Sequence, residues 1–207
     1  MRSSFNPEIQ EESTGNKIIV ALERLSEAFR VLLWQESKET LLSPIQVQIL
    51  IFLLFHRKEH CSVSYLSDEF NMTKATISES IKVLLRKNLI QKDEDPRDTR
   101  SAVITLTPEG KRIAERSSAF TSVLEGPVGH LDEDQKAIML KGLLQLIKAL
   151  NQAGIITVQR MCFSCKFYRL TADGHFCKLM QKPLADSEIR IDCAEHEPVQ
   201  SHSGSSR

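Results

Sequence analysis

Apolar residues recur at helical spacing along the first part of the chain. After a polar stretch over residues 1–15, which we expect to be a flexible arm, the apolar positions follow a period of three to four residues as far as Trp34. They are Ile18, Ile19, Leu22, Leu25, Phe29, Leu32 and Leu33. This pattern predicts one long amphipathic helix from about Asn16, with a stripe wide enough for a domain core or for a helix of another subunit.

A second helix is predicted from Ser43 to Phe55. Ser43 can cap it, Pro44 suits the first helical position, and Gln46 can complete a capping box. The run that follows is apolar nearly all round, so we expect this helix to be buried. It is too short to cross a bilayer, which takes about 20 residues.

Residues 62–86 predict two short helices joined by a tight turn at Asn71 and Met72. Ser62 caps the first helix and Thr73 caps the second. The inner face of the second helix is apolar, with Ile77, Ile81, Leu84 and Leu85. Its outer face is small and polar, which a helix needs to enter the major groove of DNA and meet base edges. A plain surface helix has the same polar face, so the hairpin that follows must decide between a surface helix and a DNA-recognition helix. The candidate DNA contacts on this helix are Thr73, Lys74, Thr76, Ser78 and Lys82.

A charged hairpin follows the two helices. One strand begins near Ile90, and β-branched residues favour a returning strand over Ala102–Leu106. The tip carries Arg97 and Arg100, and neighbouring acids such as Asp95 can hold a guanidinium group by bidentate pairing. An arginine held in this way fits a narrow minor groove. Asp95, Arg97 and Arg100 therefore complete the candidate DNA contacts.

Two further helices are predicted after the hairpin. Thr107 caps the first, which runs to about Leu124 and is broken at Gly126–Pro127. Asp132 opens the last, with Ile138, Leu143, Leu146, Ile147 and Leu150 on one face. With the first long helix they suit a homodimer interface, because two equal reading heads match two half-sites one helical turn apart. The alternative is a three-helix core within one chain.

The hairpin and the residues after it resemble the MarR (multiple antibiotic resistance regulator) family of bacterial winged-helix repressors. The resemblance rests on Asp95-Pro96-Arg97-Asp98-Thr99-Arg100, followed by Leu106-Thr107-Pro108-Glu109-Gly110, and it covers residues 16–154. It implies that Arg97 contacts the minor groove, that Asp95 orients Arg97, and that residues 73–86 read the major groove. It also implies a dimer built from the first and last helices.

A cysteine-rich tail follows from Met161. Its spacing is C-x2-C-x11-C-x15-C, formed by Cys162, Cys165, Cys177 and Cys193, with His196 in a following C-x2-H. Four thiolates can close a tetrahedral site, and a metal would supply much of the folding free energy of so short and polar a module. Zinc is the first choice, with His196 as a possible ligand, and an iron–sulfur cluster is the alternative. Free thiols or a reversible disulfide switch remain open. Cys61 stands apart and reads as a packing residue.

Composition and charge bound the function. The 27 basic and 27 acidic residues cancel, so any DNA-binding surface must be local. The N-terminus shows no secretory signal, which predicts a cytoplasmic protein that does not engage membranes. No phosphate-binding Gly-rich loop, nucleophile elbow or catalytic carboxylate pair is present, which argues against an enzyme.

Together these patterns predict a mainly α-helical protein with a winged helix-turn-helix, a helical dimerisation region and a small cysteine-rich module. The expected parts are an arm (1–15), a DNA-binding and dimerisation domain (16–154), a metal-binding module (160–198) and a disordered tail (199–207). The expected function is a dimeric transcriptional regulator, more plausibly a repressor, that binds a palindromic operator. A small-molecule effector, a metal or a redox event would relieve the repression. The alternative is an iron–sulfur or thiol redox sensor with the cysteines as its active part.

Overall fold

The computed structural model describes residues 3–95, 98–157, 160–172 and 174–199, and of residues 94, 95 and 98–101 only the backbone. The chain forms two compact units. The first joins Met1–Cys61 to Glu79–Glu125, and the second joins Ser62–Ser78 to Gly126–Arg207. The helix-turn-helix therefore contributes to both units, whereas the sequence suggested one domain over residues 16–154.

The N-terminal arm contains a helix, α1 (Pro7–Glu12). This corrects the expectation of a flexible stretch over residues 1–15. The side chain of Asn6 caps the helix by accepting a hydrogen bond from the backbone N–H of Glu8 at 3.0 Å. The amide of Asn16 then donates to the carbonyl oxygen of Ile9 at 2.8 Å, so the arm is fastened to the start of the next helix.

The long first helix of the prediction is α2 (Thr14–Thr40), and it extends well past Trp34. Ser13 caps its start, and it ends where Leu41 takes a left-handed conformation with φ 54°. Much of its apolar stripe stays exposed within this chain, with Ile18 at 48%, Leu25 at 44% and Phe29 at 45% exposure.

The predicted buried helix is α3 (Pro44–Phe55), and both bonds of its capping box between Ser43 and Gln46 are present. Its buried positions are Gln46, Val47, Ile49, Leu50, Phe52 and Leu53. Within the part of the chain described, no single helix is long and apolar enough to cross a membrane. The bent pair α2 and α3 reaches that length and apolarity only when the two are taken together.

The helix-turn-helix consists of α4 (Val63–Glu69) and α5 (Lys74–Arg86). It leads into an antiparallel hairpin of β1 (Ile90–Asp95) and β2 (Asp98–Leu106), the wing of the prediction. The strands pair from Ile90 opposite Leu106 to Asp93 opposite Val103. The fold is thus mainly helical with a small β wing, as predicted.

The wing is joined tightly to α6 (Pro108–Ser117). Thr107 caps α6 by accepting from the N–H of Gly110, while its own hydroxyl donates to the carbonyl oxygen of Asn88 at 2.8 Å. Gly110 lies so close to the turn before β1 that an added Cβ would sit 1.8 Å from the carbonyl oxygen of Leu89. Only glycine fits this position.

The region after α6 differs in detail from the prediction. A 3-10 helix covers Ser118–Leu124, and the expected break at Gly126–Pro127 is a short helix, α7 (Glu125–Gly129). Proline is tolerated there because it falls in the first turn, where its missing N–H has no intrahelical partner to lose.

The second unit contains the last helix and the cysteine-rich module. Helix α8 (Glu133–Gln152) begins with a capping box between Asp132 and Gln135. The module is a three-stranded antiparallel sheet in the order β3 (Tyr168–Thr171), β4 (Gly174–Cys177) and β5 (Lys182–Leu184). Its buried apolar cluster also includes a residue of α8, and consists of Leu144, Met161, Leu184 and Ile189.

The close approach at Gly110 gives the first prediction. We expect Gly110→Ala to lower the free energy of unfolding by about 1–3 kcal/mol or more, because the methyl group must displace the backbone of Leu89. Gly129→Ala at the end of α7 is the matched control. No described heavy atom lies within 4 Å of its added Cβ, so we expect no loss of stability. Urea unfolding measures both, and equal midpoints for the two variants would contradict the role given to Gly110.

Candidate nucleic-acid interface and cysteine cluster

Local hydrogen bonds fix the two ends of the helix-turn-helix turn. Ser62 caps α4 by accepting from the N–H of Tyr65 at 3.2 Å. Asn71 in the turn has φ 54°, a left-handed conformation that asparagine tolerates better than most residues. Thr73 caps α5 by accepting from the N–H of Thr76 at 3.1 Å, and the two hydroxyl oxygens are 2.9 Å apart.

The outer face of α5 is exposed over its first turn and beyond. The exposed residues are Thr73, Lys74, Ala75, Thr76, Glu79 and Lys82, while Ser78 is only half-buried. The opposite face is buried as predicted, with Ile77, Ile81 and Leu84 each at most 1% exposed. The structure therefore leaves the surface of the candidate contacts open to a duplex, and the contacts themselves remain predictions.

One candidate contact already has an acidic partner. The ammonium group of Lys82 donates to Glu79 at 2.6 Å, and this bond holds the pKa of Glu79 below its usual value. Both side chains are more than half exposed. Exposed ion pairs contribute little to stability, so Lys82 can exchange this partner for a phosphate at small cost.

The structure describes the three candidate DNA contacts of the wing only in part. Arg97 falls outside the described residues, and only the backbone of Asp95 and Arg100 is described, in β1 and β2. The pairing between Asp95 and Arg97 that the resemblance implies stays a prediction.

The four tail cysteines line one small cavity of about 30 Å³. Cys162 and Cys165 flank a 3-10 turn, Cys177 ends β4, and Cys193 comes from the C-terminal loop. All five cysteines of the chain are described and are thiols, with no disulfide between any two. Cys61 is buried at 2% exposure, as expected for a packing residue.

Arg190 lies beside this cavity and hydrogen bonds to two of the thiols. Its backbone N–H donates to the sulfur of Cys162 at 3.3 Å, and its guanidinium group donates to the sulfur of Cys193 at 3.5 Å. Burial and the neighbouring cysteines raise the pKa of Cys162, although the bond from Arg190 opposes this. Without a bound cation, Cys162 is therefore a protonated thiol at neutral pH.

The thiols are not positioned as a finished metal site. Among the described residues, which include all four of these cysteines, no three His, Cys, Asp or Glu side chains stand together closely enough to hold an ion. His196 does not line the cavity, because its Nε2 lies 3.0 Å from the hydroxyl of Ser164. Burial lowers the pKa of His196, so its ring is neutral at pH 7.

Sequence reasoning missed Arg160 of the second unit, whose side chain bonds to three other residues. Its side chain is only 4% exposed and forms ion pairs with Glu69 of α4 and with Asp192 of the C-terminal loop. Burial lowers the pKa of Arg160, but the bonds to Asp192, Glu69 and Tyr65 outweigh it and raise the pKa above its ordinary value. A single arginine at the start of the predicted module (160–198) gives no periodic signal in the sequence, and its acidic partners lie far from it along the chain.

Comparison with known proteins supports the family resemblance over the helix-turn-helix and wing. Residues 42–101 match the sequence model of the MarR family. Two Bacillus subtilis proteins, both described as uncharacterized HTH-type transcriptional regulators, are similar in sequence. YdgG is 39% identical over 67 residues, which is 31% of this chain and 44% of YdgG. YhbI is 23% identical over 133 residues, which is 61% of this chain and 86% of YhbI.

Solved structures show the same winged-helix fold. The S. aureus MepR–DNA complex has a TM-score of 0.55 at 23% identity and covers 63% of this chain and 96% of MepR. Streptococcus pneumoniae FabT in complex with DNA has a TM-score of 0.54 at 23% identity, and the match covers 66% of this chain and 99% of FabT. A MarR transcriptional regulator from Methanosarcina mazei Go1 has a TM-score of 0.55 at 19% identity, and the match covers 66% of this chain and 97% of that protein. The cysteine module lies outside the residues that match the family model.

Proposed function

We propose that this chain, whose residues 42–101 match the MarR family, is a sequence-specific DNA-binding transcriptional regulator that acts as a dimer. The observation that carries the proposal is the exposed, small and polar face at the start of α5, set in a winged helix-turn-helix. MepR and FabT, which share this fold, are described in complex with DNA. A repressor that occupies a palindromic promoter site is the simplest mode of action for such a protein.

In this mode α5 enters the major groove and the wing reaches the flanking minor groove. Thr73, Thr76 and Ser78 are short enough to let the helix approach base edges, while Lys74 and Lys82 bind phosphates. In the wing, Asp95 orients Arg97, and Arg100 adds charge at the minor groove.

Exposed apolar faces support the dimer. On α2, Ile18, Leu25 and Phe29 are spaced seven and four residues apart, so they form one stripe that this chain leaves largely exposed. On α8, Ile138 is 74% exposed and Leu146 42% exposed. Contiguous apolar surface of this kind marks a protein interface, and a second copy of the chain is the partner that a two-fold operator requires.

A two-state change in spacing would relieve repression. An effector, a metal or a redox event that alters the distance between the two recognition helices would prevent them from meeting successive major grooves. Such a signal must bind one arrangement better than the other.

The tail cysteines are proposed to hold a metal ion, with Cys162, Cys165, Cys177 and Cys193 as ligands. All four cysteines line one cavity, and this supports the proposal. Four thiolates suit a tetrahedral zinc ion, which is the first candidate. An iron–sulfur cluster is the second candidate, and it would make the module a redox sensor.

The wing is tested by Arg97→Ala. We expect it to weaken binding to the preferred duplex by about 1–3 kcal/mol, roughly 5- to 150-fold in Kd, with little change in the free energy of unfolding. Arg112→Ala removes an exposed arginine of α6 that pairs with Glu109, and it should leave the affinity unchanged. Fluorescence anisotropy at moderate salt measures both variants. Equal affinity of Arg97→Ala and the wild type would remove the wing from the mechanism.

The dimer is tested by placing a charge in the α2 stripe. Phe29→Asp buries a carboxylate in the proposed interface, so we expect sedimentation to show loss of the wild-type dimer. Arg24→Asp introduces the same side chain at a 77% exposed position away from the stripe, and it should remain dimeric. A monomeric wild type, or a Phe29→Asp variant that is as dimeric as the wild type, would rule out this interface.

The metal site is tested by elemental analysis and an ultraviolet–visible spectrum on protein purified without oxygen. We expect one zinc per chain and no visible absorption, because zinc is d¹⁰ and spectroscopically silent. Cys177→Ser should lose the metal, whereas Cys61→Ser, a substitution in the other unit, should keep it. Iron with sulfide and a visible band would select the cluster instead. Absence of any metal, with all four tail thiols open to alkylation, would reject both.

A further inference from the structure

The segment between α8 and the cysteine module binds helix α4 through one buried arginine, Arg160. The Nη1 group of Arg160 donates to the hydroxyl of Tyr65 at 2.9 Å and to Glu69 at 2.8 Å, and its Nη2 group donates to the other oxygen of Glu69 at 3.2 Å. The guanidinium group also lies 5.7 Å from the centre of the Tyr65 ring, a cation–π distance. Tyr65 and Glu69 are four residues apart and thus share one face of α4.

The same guanidinium group holds the C-terminal loop of the module. Its Nε donates to Asp192 at 2.7 Å, and its Nη2 donates to the second oxygen of Asp192 at 3.1 Å. With the three bonds to α4, these contacts use all five N–H donors of an arginine. The backbone adds a further bond, from the N–H of Cys193 to the carbonyl oxygen of Arg160 at 2.9 Å.

The residue that follows Asp192 is one of the four clustered thiols. Cys193 lines the cavity shared with the other three cysteines, so a change in the position of its sulfur acts on the loop that carries Asp192. The path from the Cys193 thiol to helix α4 therefore runs through one peptide unit, the Asp192 carboxylate and the Arg160 guanidinium group.

Two more bonds fasten the turn of the helix-turn-helix to the same segment. The hydroxyl of Thr157 donates to the carbonyl oxygen of Asp68 at 2.6 Å, at the last turn of α4. The amide of Asn71 donates to the carbonyl oxygen of Ile155 at 3.1 Å. Asn71 is the left-handed residue of the turn, and α5 begins three residues later at Lys74.

We propose that the cysteine module is a clamp on the helix-turn-helix, and that Arg160 transmits the state of the four-thiol cluster to α4 and the turn. When the thiols are held together, Asp192 and Glu69 grip Arg160 from two sides and α4 is fixed. When the cluster is lost, the Asp192 side loosens, α4 and the turn gain freedom, and the duplex is bound more weakly. The DNA consequence rests on the proposed DNA binding, and the dependence on the thiols rests on the proposed metal site, whereas the bonds of Arg160 to α4 rest on neither.

The chemistry of this clamp requires arginine. Glu69 and Asp192 each accept two N–H bonds from one planar group, which a lysine ammonium cannot supply in that geometry. The α4 end is the better protected, since the side chain of Glu69 is 19% exposed and that of Asp192 47%. We therefore expect the bonds between Arg160 and Asp192 to break before those between Arg160 and Glu69.

A double-mutant cycle tests the clamp. Cys177→Ser disrupts the cluster, and Glu69→Gln removes the ion pair between α4 and Arg160 while the bond to Tyr65 stays in place. In the wild-type background we expect Cys177→Ser to lower amide hydrogen-exchange protection over residues 63–72 and to raise the Kd for duplex DNA, each by about tenfold. In the Glu69→Gln background the same cysteine change should alter each by only about two- to threefold, because the charged part of the connection is gone.

Glu197→Gln is the matched control. It removes an exposed module carboxylate that pairs with Lys166 and does not touch Arg160, so the full effect of Cys177→Ser should persist in its background. If Glu69→Gln fails to fold, Tyr65→Phe removes only one of the five donor bonds and should reduce the effect in part.

The clamp is overturned if Cys177→Ser leaves the exchange of residues 63–72 unchanged, or if its effect is equally large in the wild-type and Glu69→Gln backgrounds. The exchange experiment needs no DNA. If the protein binds no duplex at all, the proposed function fails while the clamp is still decided by exchange.

Discussion

The buried guanidinium group of Arg160 is the interaction on which the second unit depends. It joins three segments that are far apart in sequence, and every N–H it carries has an acceptor. Removing one partner of a buried ion pair typically costs about 3–5 kcal/mol, because the remaining charge is left without compensation. Helix α4, the segment around Arg160 and the cysteine-rich module therefore depend on one another for stability, although they lie far apart in the sequence.

The module needs such support because its own core is small. Leu144, Met161, Leu184 and Ile189 are its fully buried apolar side chains, and the first of these belongs to α8. Short polar modules of this kind usually gain stability from a metal or a cross-link. The convergence of four thiols on one cavity fits that need, and an ion there would stabilise the fold and the clamp together.

Local chemistry made the first half of the chain predictable. The capping box at Ser43, the cap at Thr107 and the apolar face of α5 depend on neighbouring residues, so the sequence alone predicts them. The helix α1 was missed although its start has a local signal, since Asn6 caps it and Pro7 follows. The extension of α2 beyond Trp34 runs through polar residues that carry no apolar repeat. Arg160 was missed because its partners lie more than thirty residues away in both directions.

The proposed function depends on sequence-specific binding of duplex DNA. Selection of bound duplexes from a random pool tests this property most directly. We expect enrichment of a two-fold symmetric sequence whose half-sites are centred about 10–10.5 base pairs apart, the spacing of successive major grooves. Recovery of unenriched sequence, or binding that disappears at moderate salt without any sequence preference, would contradict it.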